Sequence, residues 1–450
     1  MISPHAAKVP REPAPVPAVL RASAVLTVLN IAAGMLGYAF QVGMGRVLRP
    51  GDFSNFNAIL ASVSLCSAPL NAVGMVLVRQ VAILRSSGSL AQIRVLYRRV
   101  NLWLGTAACA LIAAMRFVEP ILDFQDHVTK LEDMAIFVAI AALSSLTLLN
   151  NAFLQGLRQF WTLGGLGVLI VVVKIAMCYA LVVALDWGLR GALGGVLSAT
   201  CAVAVIGTVV VVGSSGQPGA SHAPHLSFPT ASVLPVAAAT IGLASLSQAD
   251  LIVVNKFFDP AVAGDYSIAA ILGRSVLYLP AGIALTLLPM VAEDHAADRC
   301  SSSLARQSLL AVFGLCAAAA TATAAVAPWL VSTLYGDRYP AAAGLLAAYG
   351  FAAMPLGLAL VAEHFLIAKG RMTVAWVLLA AALAEIATLM AWHPSPWAVI
   401  TVMAAFNGAT ALICCLMMLP DLGTSRPGAD DVSRRSGGDL AGPDTASQAY

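Results

Sequence analysis

The chain has 450 residues, of which 60% are hydrophobic and only 10% charged, and its formal net charge is +3. Its mean hydropathy is +0.86. Soluble domains sit near half apolar and a quarter charged, so there are too few charges here to cover a soluble surface, and soluble enzymes and nucleic-acid-binding domains are excluded. The small net charge identifies no partner, because a membrane protein distributes its basic residues by topology.

In chain order, residues 1–21 are polar and Pro-rich and lack the short apolar core and cleavage site of a signal peptide, so they are expected to be a cytoplasmic tail. Apolar stretches long enough to cross a bilayer as helices follow at 22–45, 56–82, 100–122, 132–156, 161–185, 189–213, 231–254, 266–291, 307–335, 341–368, 372–392 and 396–419. Short turns such as Arg158-Gln159-Phe160 and Asp186-Trp187-Gly188 require antiparallel neighbours. Twelve spans put both termini on one side. With the termini inside, 16 Lys and Arg fall on the inner side and 7 on the outer, so both termini are expected in the cytoplasm.

The loops carry less. Residues 84–99 fit either a basic amphipathic helix on the inner leaflet or a topology-setting loop. Residues 214–230 are Ser-, Gly-, Pro- and His-rich and are expected to link an N-terminal bundle (22–213) to a C-terminal bundle (231–419). Residues 420–450 are expected to be a disordered cytoplasmic tail. His222 and His225 are too isolated to bind a metal, and most of the eight cysteines lie in apolar spans, where they act as small apolar filler. No metal site, cofactor or nucleotide-binding motif is expected.

The second half repeats landmarks of the first. Arg46-Val-Leu-Arg-Pro50, then Gly51-Asp-Phe-Ser, returns as Lys256-Phe-Phe-Asp-Pro260, then Gly264-Asp-Tyr-Ser. Pro69 returns as Pro280, Val-Glu-Pro120-Ile-Leu as Val-Ala-Pro328-Trp-Leu, and Phe-Leu-Gln155-Gly-Leu-Arg158 as Phe-Leu-Ile-Ala-Lys-Gly-Arg371. The offsets are 210, 211, 208 and 213 residues. Four matches in one order imply two six-helix halves facing each other, the architecture of a transporter whose path lies between repeats.

A charge inside the bilayer is costly, so each intramembrane ionisable group is a candidate for that path. These are Lys174 in the fifth span, Asp250 in the seventh, Arg274 in the eighth, Glu363 beside His364 in the tenth, and Glu385 in the eleventh. Asp250 and Arg274 could equally pair with each other, or with Lys256, and pin two helices together. Glu363 could reach water at the inner end. Lys174 has only apolar sequence neighbours, which favours a cavity-facing position or a pair with Glu385, its near-counterpart in the repeat. Asn30, Gln41, Asn71, Asn150, Asn151, Gln155, Gln248 and Asn407 could line a sugar-binding cavity. Each one taken singly is the better fit to a hydrogen bond between helices. Asn30 and Gln155 complete the set of path candidates.

Several motifs resemble those of polysaccharide-biosynthesis flippases of the Wzx-like kind, in the MATE/MOP superfamily. They are Asn30…Gly45-Arg46-Val-Leu-Arg-Pro-Gly-Asp-Phe-Ser-Asn-Phe, Leu154-Gln155-Gly156-Leu157-Arg158-Gln159-Phe160, Gly188-Leu-Arg-Gly191-Ala192, Asp250-Leu-Ile-Val-Val-Asn-Lys256, and Ala263-Gly264-Asp265-Tyr266 with Gly273-Arg274. The resemblance covers about residues 22–419; Phe53-Ser54 departs from the usual Phe-Gly. It implies an all-α polytopic protein with twelve transmembrane helices in two six-helix bundles forming a MATE-like V. It further implies a non-enzymatic flippase of a polyprenyl-pyrophosphate-linked oligosaccharide in the bacterial inner membrane, serving surface or exopolysaccharide synthesis. Lys174 and Arg274 are then the cations for the pyrophosphate. Membrane lipids, a polysaccharide polymerase and glycosyltransferases are the implied partners, with no nucleic acid. The alternative is a MATE-type cation-coupled drug antiporter, which Asp250, Glu363 and Glu385 favour and Lys174 and Arg274 oppose.

Overall fold

The computed structural model describes residues 16–86, 89–122, 131–215, 230–277, 291 and 302–422. Twelve α-helices occupy them: α1 Val16–Val47, α2 Pro50–Ser86, α3 Leu90–Leu122, α4 Leu131–Gly156, α5 Phe160–Cys178, α6 Gly188–Ser214, α7 Thr230–Phe257, α8 Pro260–Gly273, α9 Ser302–Tyr335, α10 Ala342–Ala368, α11 Thr373–Ala391 and α12 Pro396–Leu422. Among the described residues there is no strand, as expected where lipid offers the backbone no hydrogen-bond partners. Among the described residues, ten helices are long and apolar enough to cross a membrane, all of the twelve but α3 and α8. The continuation of the eighth span beyond Leu277, the loop 123–130, most of the linker (216–229) and the tail from 423 lie outside the described residues.

Several helix starts differ from the sequence reading, among them that of α1, which begins at Val16 and not at residue 22. Helices α2 and α8 start six residues earlier than expected, because Pro50 and Pro260 open them at the first helical position, where a missing N–H costs nothing. Helix α3 starts at Leu90, so most of the supposed loop 84–99 is its first turns. Their apolar face (Ile93, Leu96, Tyr97) is buried on the protein with Val81 and Phe153 and does not lie on the inner leaflet. Arg94 donates to the carbonyls of Val212 (2.6 Å) and Ser215 (3.2 Å) at the end of α6.

The helices of each half pack in one order. α1 lies on α5, α2 on α4, α4 on α6, and α5 on α6; six helices later, α7 lies on α11, α8 on α10, α10 on α12, and α11 on α12. The junctions repeat bond for bond. At α1–α2, Leu48 N–H donates to Met44 O and Phe53 N–H to Arg49 O; at α7–α8, Phe258 N–H donates to Val254 O and Ala263 N–H to Asp259 O. At α4–α5, the N–H groups of residues 157, 158 and 159 donate to the carbonyls of 153, 155 and 154. At α10–α11, those of 369, 370 and 371 donate to 365, 367 and 366. The register at this second junction is therefore 212. It pairs Arg158 with Gly370 and Gln159 with Arg371, one residue away from the sequence match of Arg158 with Arg371.

The halves meet at one end. A shared core there contains Phe40, Phe53, Phe56, Tyr266, Tyr335, Tyr339 and Tyr349. At the other end each half has its own core, Leu77, Leu149 and Val203 in the first and Leu246, Phe365 and Cys414 in the second. Contact at the closed end is intimate. A Cβ on Gly51 would lie 2.6 Å from Pro260 Cβ, and one on Gly264 would lie 2.7 Å from Pro50 Cβ. Only glycine admits this reciprocal approach of the α2 and α8 first turns.

Candidate functional site

Between the halves, towards the open end, lies a cavity of about 530 Å³. Its walls come from α2, α4 and α5 on one side and α7 and α10 on the other. The hydrogen-bonding groups on them are Asn71, Asn151, Gln155, Thr240, Glu363 and His364. The repeat explains the choice of positions: at the offset of 212, Asn151 corresponds to Glu363, Ala152 to His364 and Gln155 to Ile367, and all six line the cavity. One face of α4 and the same face of α10 therefore oppose each other, the first amide-bearing and the second acidic.

Two path candidates, Gln155 and Glu363, stand on this wall. Glu363 is 3% exposed; its Oε2 accepts no hydrogen bond from the described residues, although His364 Nδ1 stands 3.7 Å away. Asn30 is exposed on α1, away from this wall. It is the counterpart of Thr240 at the offset of 210, a register that would have drawn attention to Thr240, which sequence reasoning missed. Asn71 and Asn151 carried no sequence signal beyond being amides.

Asp250 and Arg274 are brought together deeper in the second half. Asp250, 1% exposed, accepts Arg274 Nη2 on Oδ1 at 2.7 Å. On Oδ2 it accepts the hydroxyls of Tyr266 at 2.9 Å and Tyr349 at 2.8 Å. Arg274 Nε also donates to the Tyr349 hydroxyl at 3.0 Å. This knot ties α7, α8 and α10, and it satisfies both charges as burial demands. Nothing in the sequence tied either tyrosine to Asp250, since they reach it from positions 16 and 99 residues away.

Glu385 is buried on α11, with neither carboxylate oxygen hydrogen-bonded to a described residue. Lys174 does not pair with it. Helix α5 packs on α1 and α6 and helix α11 on α7 and α12, so the two side chains belong to separate packing groups. Lys174 Nζ sits 4.4 Å above the Phe40 ring, a cation–π contact. Asn150 acts as a tie between helices: its amide donates to Ala204 O (3.0 Å) and accepts Tyr97 Oη (2.7 Å), which also bonds Thr208 (2.9 Å). Asn407 likewise donates to Ala352 O at 3.1 Å. Among the described residues no group of three or more His, Cys, Asp or Glu could hold a metal ion.

No protein-family model and no curated protein matches the sequence. Solved structures match its fold over nearly the whole chain. The eukaryotic MATE transporter AtDTX14 has TM-score 0.66 at 12% identity, covering 89% of this chain and 96% of that one. The lipid II flippase MurJ in an inward closed conformation has TM-score 0.66 at 12% identity, covering 88% of each chain. An inward-facing multidrug resistance MATE family transporter of the MOP superfamily has TM-score 0.65 at 12% identity, covering 89% and 99%. The fold is thus the polytopic fold of membrane transporters and flippases.

Proposed function

We propose that this protein flips a polyprenyl-pyrophosphate-linked oligosaccharide across the bacterial inner membrane, for surface or exopolysaccharide synthesis, from a chain with both termini in the cytoplasm. The observation that carries the reading is the cavity between the halves. It offers amides, a hydroxyl, an imidazole and a carboxyl, which suit a hydroxyl-rich glycan, and it is open at the end that the basic residues assign to the cytoplasm. Lys174 has no carboxylate partner among the described residues and is the intramembrane cation left to attract phosphate, since Arg274 is neutralised by Asp250. The polymerase and glycosyltransferases of the same polymer are the expected functional partners. The test is surface polysaccharide in a deletion strain that has no second flippase. Loss of polymer on deletion, and reduced polymer from Lys174→Ala or Asn151→Ala with Gln155→Ala at unchanged membrane level, are expected. Normal polymer from the deletion strain rejects the function.

A second reading, a cation-coupled small-molecule antiporter, is favoured by the unpartnered Glu363 Oε2 on the cavity wall. It predicts changed drug susceptibility of the deletion strain with polymer intact.

A further inference from the structure

The two copies of the α4–α5 turn differ at one residue in a way that costs the first copy energy. Both copies place their middle residue in the left-handed region. The second uses Gly370, at φ 73°, while the first uses Arg158, at φ 57°. An L side chain is strained there and glycine is not. The turn itself makes no use of the arginine. In the second copy the next residue, Arg371, ties the turn to the end of α12 by donating to Met417 O at 2.6 Å. In the first copy the equivalent Gln159 does the same work, donating to Ser214 Oγ at the end of α6 at 2.6 Å. A cation near the helix C-terminus is also available one position on, as Arg371 shows. The Arg158 side chain is exposed and bonds to no described residue.

Its location supplies the reason. Arg158, in the turn that ends α4, follows Gln155 of the cavity wall by three residues, and Arg79 directly follows Val78 of the wall on α2, so both stand at the edge of the wall. The helices touch there: a Cβ on Gly156 would lie 2.7 Å from Val81 Cβ and 2.9 Å from Val78 O. Arg79 and Arg158 thus flank one helix contact at the rim of the cavity. Arg79 is also exposed and, like Arg158, has no protein partner among the described residues. Two guanidiniums with no side-chain partner among the described residues are suited to the paired oxygens of a phosphate group.

We infer that Arg158, with Arg79 beside it, forms a reception site at the cavity rim for the diphosphate headgroup of a polyprenyl lipid. The inference rests on the proposed flippase reading and says where its substrate is first held. At this first stage the glycan enters the amide-lined cavity while the diphosphate is held at headgroup depth, before it moves on towards Lys174, and the lipid tail remains in the bilayer.

The strain provides an unusual test, because Arg158→Gly removes the guanidinium while relieving the backbone. The purified full-length protein is mixed with undecaprenyl diphosphate, undecaprenyl monophosphate or phosphatidylglycerol, and lipid retention is read by native mass spectrometry, with inorganic pyrophosphate as competitor. The wild type is expected to prefer the diphosphate lipid. Arg158→Gly should weaken that binding about tenfold or more, the loss of at least one charge-assisted hydrogen bond, at an unchanged or raised melting temperature. Arg79→Ala should weaken it as well. Displacement by inorganic pyrophosphate shows that the headgroup is what is read. Equal retention of phosphatidylglycerol by the wild type, or diphosphate retention unchanged in Arg158→Gly, overturns the inference. The flippase reading fails separately: diphosphate binding lost in Arg158→Gly alongside normal polymer from the deletion strain leaves the rim site standing and rejects the glycan function. Polymer lost on deletion but fully restored by Arg158→Gly with normal lipid binding does the opposite.

Discussion

Each half is held together internally by a polar knot, and the two knots differ in kind. In the first, Tyr97, Asn150 and Thr208 join α3, α4 and α6 through neutral hydrogen bonds. In the second, Arg274, Asp250, Tyr266 and Tyr349 join α7, α8 and α10 around a full ion pair. The halves share helix order and junction geometry, so topology does not dictate the difference. A neutral knot that loses one member leaves a dipole to be satisfied by a neighbour or by water. A charged knot that loses one member leaves an ion in a low-dielectric interior. The second half should therefore be the more brittle.

Arg274→Ala should break that half most severely. It strands Asp250 at 1% exposure, and removing one partner of a buried pair costs about 3–5 kcal/mol. Thermal unfolding in detergent should show the loss, and adding Asp250→Leu should recover most of it. A failure of the double variant to recover would show that the knot works by shape and not by charge balance. In the first half, Asn150→Ala should cost about 1–3 kcal/mol, the penalty for leaving buried partners unsatisfied. Tyr97 retains Thr208 in that variant, so a loss as large as that of Arg274→Ala would erase the contrast.

Where the halves meet, Gly264→Ala would place a Cβ 2.7 Å from Pro50 Cβ and 2.9 Å from Pro50 O. Overpacking of this kind costs about 1–3 kcal/mol. Because the strain acts between halves, it should lengthen the distance between spin labels at Val47 and Asp337, both exposed at the closed end, while each half stays folded. An unchanged distance would mean that the strain is absorbed within α8. The smallest effect is expected at the repeated turn, where Gly370→Ala should cost about 1 kcal/mol, the penalty for an L residue in the left-handed region.

How much of this was legible in the sequence depends on the kind of signal. Spans are legible because lipid demands long uncharged stretches, and the repeat because prolines and glycines mark the same junctions twice. The earlier starts of α2 and α8 follow from Pro50 and Pro260, whose role as first helical residues is visible only when the Gly-Asp run after each is known to pack on the other half. Which side of a helix lines the cavity was not legible. A helix facing lipid on one side and protein on the other is apolar all round, so Thr240 and Asn71 stand out by no periodicity. Asp250 with Arg274 was one of two open pairings, and the partners that decide it, Tyr266 and Tyr349, lie on α8 and α10. The supposed match of Lys174 with Glu385 rested on equivalence in the repeat. Equivalent positions in a two-fold arrangement need not meet.

The arginine and tyrosine donors that cross the closed end, over its shared apolar core, all grip the main chain. Arg46 donates to the carbonyls of Thr333 and Leu334, Arg338 to that of Arg46, and Tyr339 to that of Gly45 at 2.8 Å. Asn255 adds amide bonds to Ser54 and Asn55 at 3.0 and 2.8 Å. No carboxylate takes part in these bonds. Parting the two halves there would hand each carbonyl and each guanidinium to water with little net loss, about 0.5–1.5 kcal/mol per bond and somewhat more for charged donors. Such a fastening works like a zip of weak teeth and not a lock with an ionic bolt. It releases one tooth at a time, none of these teeth is a carboxylate whose protonation would jam it, and it closes again on any molecule that leaves the carbonyls free.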